Sequence, residues 1–150
     1  KGTSASAMMF LSNWLNEYGN LGMMTVSSEY LSGSQVYIGS GSKINQALSH
    51  GGVAVVRLFL DEPHYVTLTG VKDGKIQLFD PYYWDEPYEE KDILIDLEHP
   101  REYNRMVPFR YFNREEDALY ALGKMEAREA VLVYNEKTRV QVEEVIEYFI

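Results

Sequence analysis

Hydrophobic and polar residues alternate from Tyr65 to Val71 and again from Lys75 to Phe79. Period-two alternation rich in β-branched and aromatic residues predicts strands. Between the two runs lies Asp73-Gly74, the pair a tight hairpin turn prefers because both central residues take positive φ. Pro81 stops the return strand, since proline cannot donate to a ladder. Val53–Leu60 is a nearly continuous apolar run broken by Arg57 and predicts a central strand; Ala130–Tyr134 predicts another. A helical spacing links Ala7, Met8, Leu11, Trp14, Leu15 and Tyr18, which predicts a helix over Lys1–Tyr18 with Thr3 or Ser4 as cap and Gly19 at its end. Ser42 caps a second helix to His50, burying Ile44, Ala47 and Leu48, and Gly51-Gly52 ends it. A short helix is expected within Leu21–Leu31, and a Gly/Ser-rich surface loop over Gly33–Gly41.

The second half is less regular. Tyr82–Tyr88 is an aromatic and acidic loop. Ile93–Leu97 fits a strand or a helical turn. Arg101, Arg105 and Arg110 sit in a stretch with little periodicity and are expected in solvent. Asn113 is placed to cap a helix over Arg114–Leu122, with Glu115 and Glu116 in its favoured first turn, stopped by Gly123. Gln141–Ile150 predicts a terminal helix burying Val142, Val145, Ile146 and Phe149. Helices first and antiparallel strands after them define an α+β chain, not an alternating parallel-sheet protein.

At 150 residues, with 45% hydrophobic content, the chain is expected to form one domain, 1–150. No apolar run reaches the ~20 residues a membrane span needs. The chain begins at Lys1 without a targeting segment and reads as a fragment, a processed form or a trimmed chain; the cytoplasm is the favoured compartment. There is no cysteine, and His50, His64 and His99 lack metal-ligand spacing, so neither a disulfide, a metal nor a cofactor is expected. A net charge of −9 argues against nucleic acid and suits a basic peptide partner. Oligomeric state is not legible.

The hairpin carries the candidate chemistry. His64 opens it and Asp80 closes it, sixteen positions later. Folding position i onto roughly 147 − i about the turn sets the two as near neighbours. An imidazole beside a carboxylate is the base-and-orienter half of a nucleophilic triad. It is also a common structural pair.

With these residues the chain resembles the papain-like cysteine peptidases of the bacteriocin-leader (double-glycine) processing type. Gly51-Gly52-Val53-Ala54-Val55-Val56 followed by Pro63–Val71 resembles that family's helix end, strand and histidine strand. Gly74–Pro81 resembles its closing strand with Asp-Pro, and Gly2–Met9 the start of its nucleophile helix. The likeness spans roughly residues 1–83. It implies a papain-like fold, thiol-dependent hydrolysis of a peptide or protein substrate, His64 as base and Asp80 as orienter. The family's cysteine falls on Lys1, or just upstream, and its oxyanion-hole glutamine falls upstream as well. Thr3, Ser4 and Ser6 are explained by capping and close packing. The likeness therefore carries two expectations: a peptidase whose cysteine is missing from these residues, or an inactive peptide-binding domain of the same fold. An unrelated α+β interaction domain is the third.

Overall fold

A computed structural model of the chain describes residues 2–22, 25–99 and 102–137. The predicted terminal helix Gln141–Ile150, the residue Lys1 and the side chain of Arg101 lie outside the described residues. The described elements are α1 (Ala5–Asn20), β1 (Val26–Ser32), α2 (Lys43–Ser49), β2 (Val53–Phe59), β3 (Pro63–Lys72), β4 (Lys75–Phe79), β5 (Leu94–Ile95), β6 (Arg105–Pro108) and β7 (Glu129–Asn135). All seven strands join one sheet in the order β1-β7-β2-β3-β4-β6-β5, and every pairing is antiparallel. The α+β class and the central position of Val53–Phe59 agree with the pattern. No helix among the described residues is long and apolar enough to cross a membrane.

The two helices cover opposite faces. Ser42 caps α2 by accepting from the Asn45 N–H, and Ile44, Ala47 and Leu48 seal a core with Ala54, Val56, Leu58, Val66 and Leu68. Alternation sends the other parity to the far face, where Val53, Val131 and Val133 pack with Met8 of α1. Ser4 caps α1 by accepting from the Ala7 N–H. The predicted stripe is rotated: α1 buries Met8 and Ser12, while Leu11 and Trp14 stay exposed. The cause is polar. The Asn16 side chain accepts from the Ser28 N–H at 2.6 Å and donates to its carbonyl at 2.7 Å, and the Ser12 and Ser28 hydroxyls meet at 2.7 Å. These bonds cap the outer edge of β1 and fix which face of the helix turns inward. The helix also runs to Asn20, so its cap is Leu21 and not Gly19.

Three other expectations are corrected. Among its described residues Leu21–Leu31 holds no helix; it supplies β1, whose Leu31 is fully buried. Gly33–Gly41 is not a surface loop throughout, because Val36 and Ile38 enter the core. Arg114–Leu122 is not helical. Asn113 ties itself to the Ile38 backbone at both N–H and C=O instead of capping a helix. The buried Arg128 also holds this region, donating to the carbonyls of Gly123, Val36 and Asn113. Long-range bonds to the backbone override local propensity here.

Candidate functional site

The hairpin closes on Asp73 and Gly74, with φ of 50° and 71°. Its register near the turn is the expected one: Lys72 faces Lys75 and Gly70 faces Gln77. Beyond that it slips, so that Leu68 faces Leu78 and Thr67 faces Phe79. The extra residue is a β-bulge, and it decides the site. In an unbroken ladder His64 and Asp80 would point to opposite faces, because paired residues share a face and the side-chain period is two. The bulge shifts β3 by one residue and turns both toward the face that α2 covers. Gly70 sits at the slip, where a Cβ would come within 2.6 Å of the Gln77 side-chain oxygen, a contact that the flexible end of Gln77 can relieve.

Asp80 is almost completely buried and His64 is about one-fifth exposed. The imidazole Nε2 lies 3.1 and 3.2 Å from the two carboxylate oxygens. The Tyr82 N–H donates to Oδ1 at 2.9 Å, and the Tyr120 hydroxyl donates to Oδ2 at 3.0 Å. Asn104 clamps the Asp80 backbone, accepting from its N–H and donating to its carbonyl, each at 2.8 Å. The network continues outward. The Tyr120 and Tyr88 hydroxyls are 3.0 Å apart, and Arg105 Nε donates to the Tyr88 oxygen at 3.1 Å. Arg105, expected in solvent, is 1% exposed and also donates to the Trp84 and Asn104 carbonyls. Arg110 does remain at the surface, bonded to Asp92. Tyr120 is fully buried at φ 56°, a left-handed conformation that is costly for an aromatic residue. Its N–H is tied to the Phe59 carbonyl at the end of β2.

These surroundings set the charges. The Asp80 hydrogen bond raises the His64 pKa above its ordinary 6.5, against a smaller opposing effect of burial. Burial pushes the Asp80 carboxyl up, but the bonds from His64, Tyr82 and Tyr120 together outweigh it and hold the pKa below 3.8. Burial, then the Asp80 charge, drives the Tyr120 hydroxyl far above its ordinary value, so it serves as a neutral donor. Imidazolium and carboxylate are thus the favoured states of the pair.

The structure brings His64 and Asp80 together but does not bring the first helix to them. Helix α1 packs on β1 and β7, on the face away from His64, and β3 lies two strands beyond β7. The other ring nitrogen of His64, Nδ1, is covered and has no hydrogen-bond partner among the described residues. Sequence reading missed Tyr120, Tyr88, Arg105 and Asn104. The one available signal was the run Ala118-Leu119-Tyr120-Ala121-Leu122, which is apolar without helical period. No group of three or more His, Asp or Glu side chains among the described residues is placed to hold a metal. Comparisons with family models, curated proteins and solved structures return no match.

Proposed function

We propose that this chain is a peptide-binding domain that does not hydrolyse its ligand and that shares with the cysteine-peptidase type only its His64–Asp80 hairpin. The observation that carries the reading is the separation of the His64–Asp80 pair from the start of α1, which lies on the other face of the sheet. The 150 residues also hold no thiol, and an unactivated hydroxyl is a poor substitute. Binding is supported by the aromatic loop that follows Asp80, where Tyr82 and Tyr83 are more than half exposed, and by the net charge of −9. Tyrosines give large contact area for little lost side-chain freedom.

One observation favours the second reading, thiol-dependent hydrolysis with His64 as base and Asp80 as orienter. It is the Nε2–carboxylate contact at 3.1 Å, which would orient the ring; Nδ1, the nitrogen that would have to take the thiol's proton, is covered. A mixed peptide library incubated with the chain separates the readings. Retention of a subset of peptides without new fragments by mass spectrometry is the expected result. Fragments that vanish in His64→Gln would establish hydrolysis, and no retention of any peptide would remove both readings.

A further inference from the structure

Strand β5 ends the sheet. Among the described residues its only strand partner is β6, with Leu94 opposite Met106 and Ile95 opposite Arg105. The Asp96 N–H donates to the Asn104 carbonyl, so Asp96 and Asn104 pair on the hydrogen-bonded side of the ladder through one bond, the Asn104 N–H going to the Leu78 carbonyl instead. In an antiparallel ladder such pairs alternate with open ones. Leu94 therefore bonds to β6, and the Ile95 N–H and C=O point outward. Beside this edge runs a groove of about 330 Å³ whose walls include Pro87, Tyr88, Leu94 and Leu97, with Asp85 and Lys91 also lining it. Leu94 and Leu97 are exposed. The surrounding segment, Asp85 to Glu98, carries seven acidic residues and one lysine; Asp92 is bonded to Arg110 and Asp96 to His99, which leaves Asp85, Glu86, Glu89, Glu90 and Glu98 to set the charge of the rim.

We propose that the outer edge of β5 and this groove take an extended basic segment as an eighth strand. Its backbone pairs with Ile95, one set of alternating side chains enters the apolar groove, and lysines or arginines on the other set face the acidic rim. Adding a strand to a free edge is a recurrent mode of peptide recognition, with main-chain bonds giving affinity and alternating pockets giving selectivity. The acidic rim selects the occupant. It repels the same edge of a second copy, which is how natural sheets keep free edges apart, and attracts a basic strand. The two edges of the sheet differ accordingly: Asn16 and α1 close β1, and nothing comparable among the described residues closes β5.

This inference rests on the reading of the domain as a peptide binder, and the test separates the two. The probe is a fluorescein-labelled nonapeptide of alternating lysine and valine, compared with its glutamate–valine counterpart by fluorescence polarisation. The lysine peptide should bind, and its Kd should rise at least ~10-fold between 0.05 and 0.5 M salt, where screening shortens to a few ångströms. The glutamate peptide should not bind. Ile95→Pro removes the outward N–H without touching the bonds to β6 and should weaken binding at least ~10-fold. Leu97→Glu, at an exposed position that folding does not need, should weaken it comparably by placing a charge in the groove. If library peptides bind but both variants leave the lysine peptide's affinity unchanged, the edge is wrong and the binding function stands. Equal binding of the glutamate peptide, or self-association of the chain that Ile95→Pro abolishes, would overturn the proposal. If no peptide binds at all, the binding function falls with it.

Discussion

Replacing Asp80 by asparagine should loosen the end of the hairpin in a pH-dependent way. The carboxylate accepts three hydrogen bonds, from His64, the Tyr82 N–H and the Tyr120 hydroxyl. Asparagine keeps one oxygen for Tyr82 and places an NH₂ where Oδ2 was. Tyr120 must then accept instead of donate, which it can do by turning its own proton to the Tyr88 oxygen. What cannot be recovered is the charge assistance to His64. A hydrogen bond to a charged group contributes about 1.5–3 kcal/mol, and solvent around the partly exposed imidazole discounts it. With the reversed Tyr120 bond added, the expected loss is about 2–3 kcal/mol near pH 5.5. Urea unfolding at several pH values measures it, and with a slope of about 1.5 kcal/mol per M the midpoint should fall by about 1–2 M. The sign with pH follows from the two shifts. The raised His64 pKa contributes stability that is full below 6.5 and is lost as pH rises through the folded value. The lowered Asp80 pKa contributes stability that is present above 3.8 and is lost as pH falls through its folded value. The pair is therefore strongest between about pH 4 and 6.5, and the difference between wild type and Asp80→Asn should shrink at pH 9. A difference under about 0.5 kcal/mol at pH 5.5, or one unchanged from pH 5 to pH 9, would show that the charge on Asp80 does not hold the hairpin end.

Three further outcomes are expected. Deleting Thr69 removes the bulge and sets Val66 and Leu68 against Ile76 and Leu78 for the buried face, so the chain should lose several kcal/mol of stability in urea unfolding, on the order of two large core side chains; a loss under about 1 kcal/mol would mean the bulge does not set the pairing. Tyr120→Phe removes the hydroxyl that joins Asp80 to Tyr88 and should destabilise by about 1–3 kcal/mol in urea unfolding, against no measurable change if the hydroxyl is dispensable. In the wild type, long-range proton–nitrogen spectra above the His64 pKa should show the proton on Nε2, facing Asp80; a proton on Nδ1 would contradict the geometry.

The hairpin was legible because its period and its turn residues point the same way. Asp73-Gly74 demands one geometry, and Tyr65–Val71 and Lys75–Phe79 accept it. The His64–Asp80 contact was legible for an incomplete reason. The simple register makes them near neighbours in sequence but puts them on opposite faces. It is the slip between Leu68 and Gly70 that unites them, and only Gly70 hints at a bulge in the sequence. The second half of the chain resisted because its order comes from single polar side chains reaching distant backbone. Arg105 and Arg128 look like surface arginines, yet each is buried by carbonyls contributed from elsewhere in the sequence. Tyr120 looked helical among helix formers, yet Phe59 and Asp80 hold it at a positive φ. The stripe on α1 was misread because two polar residues, Ser12 and Asn16, outweighed Leu11 and Trp14 once the β1 edge needed partners.

The His64–Asp80 pair is not coupled to the start of the first helix, which covers the other face of the sheet. The most direct measurement is the pH dependence of iodoacetamide labelling in Lys1→Cys, which places a thiol where the peptidase likeness puts its nucleophile. Position 1 precedes the Ser4 cap by three residues, and α1 covers the face away from His64. The labelling pK should lie near the unperturbed ~8.5 and be unchanged in His64→Gln. A pK of about 7 or lower that returns toward ~8.5 in His64→Gln would show that the imidazole activates the thiol and that the chain holds a working peptidase site.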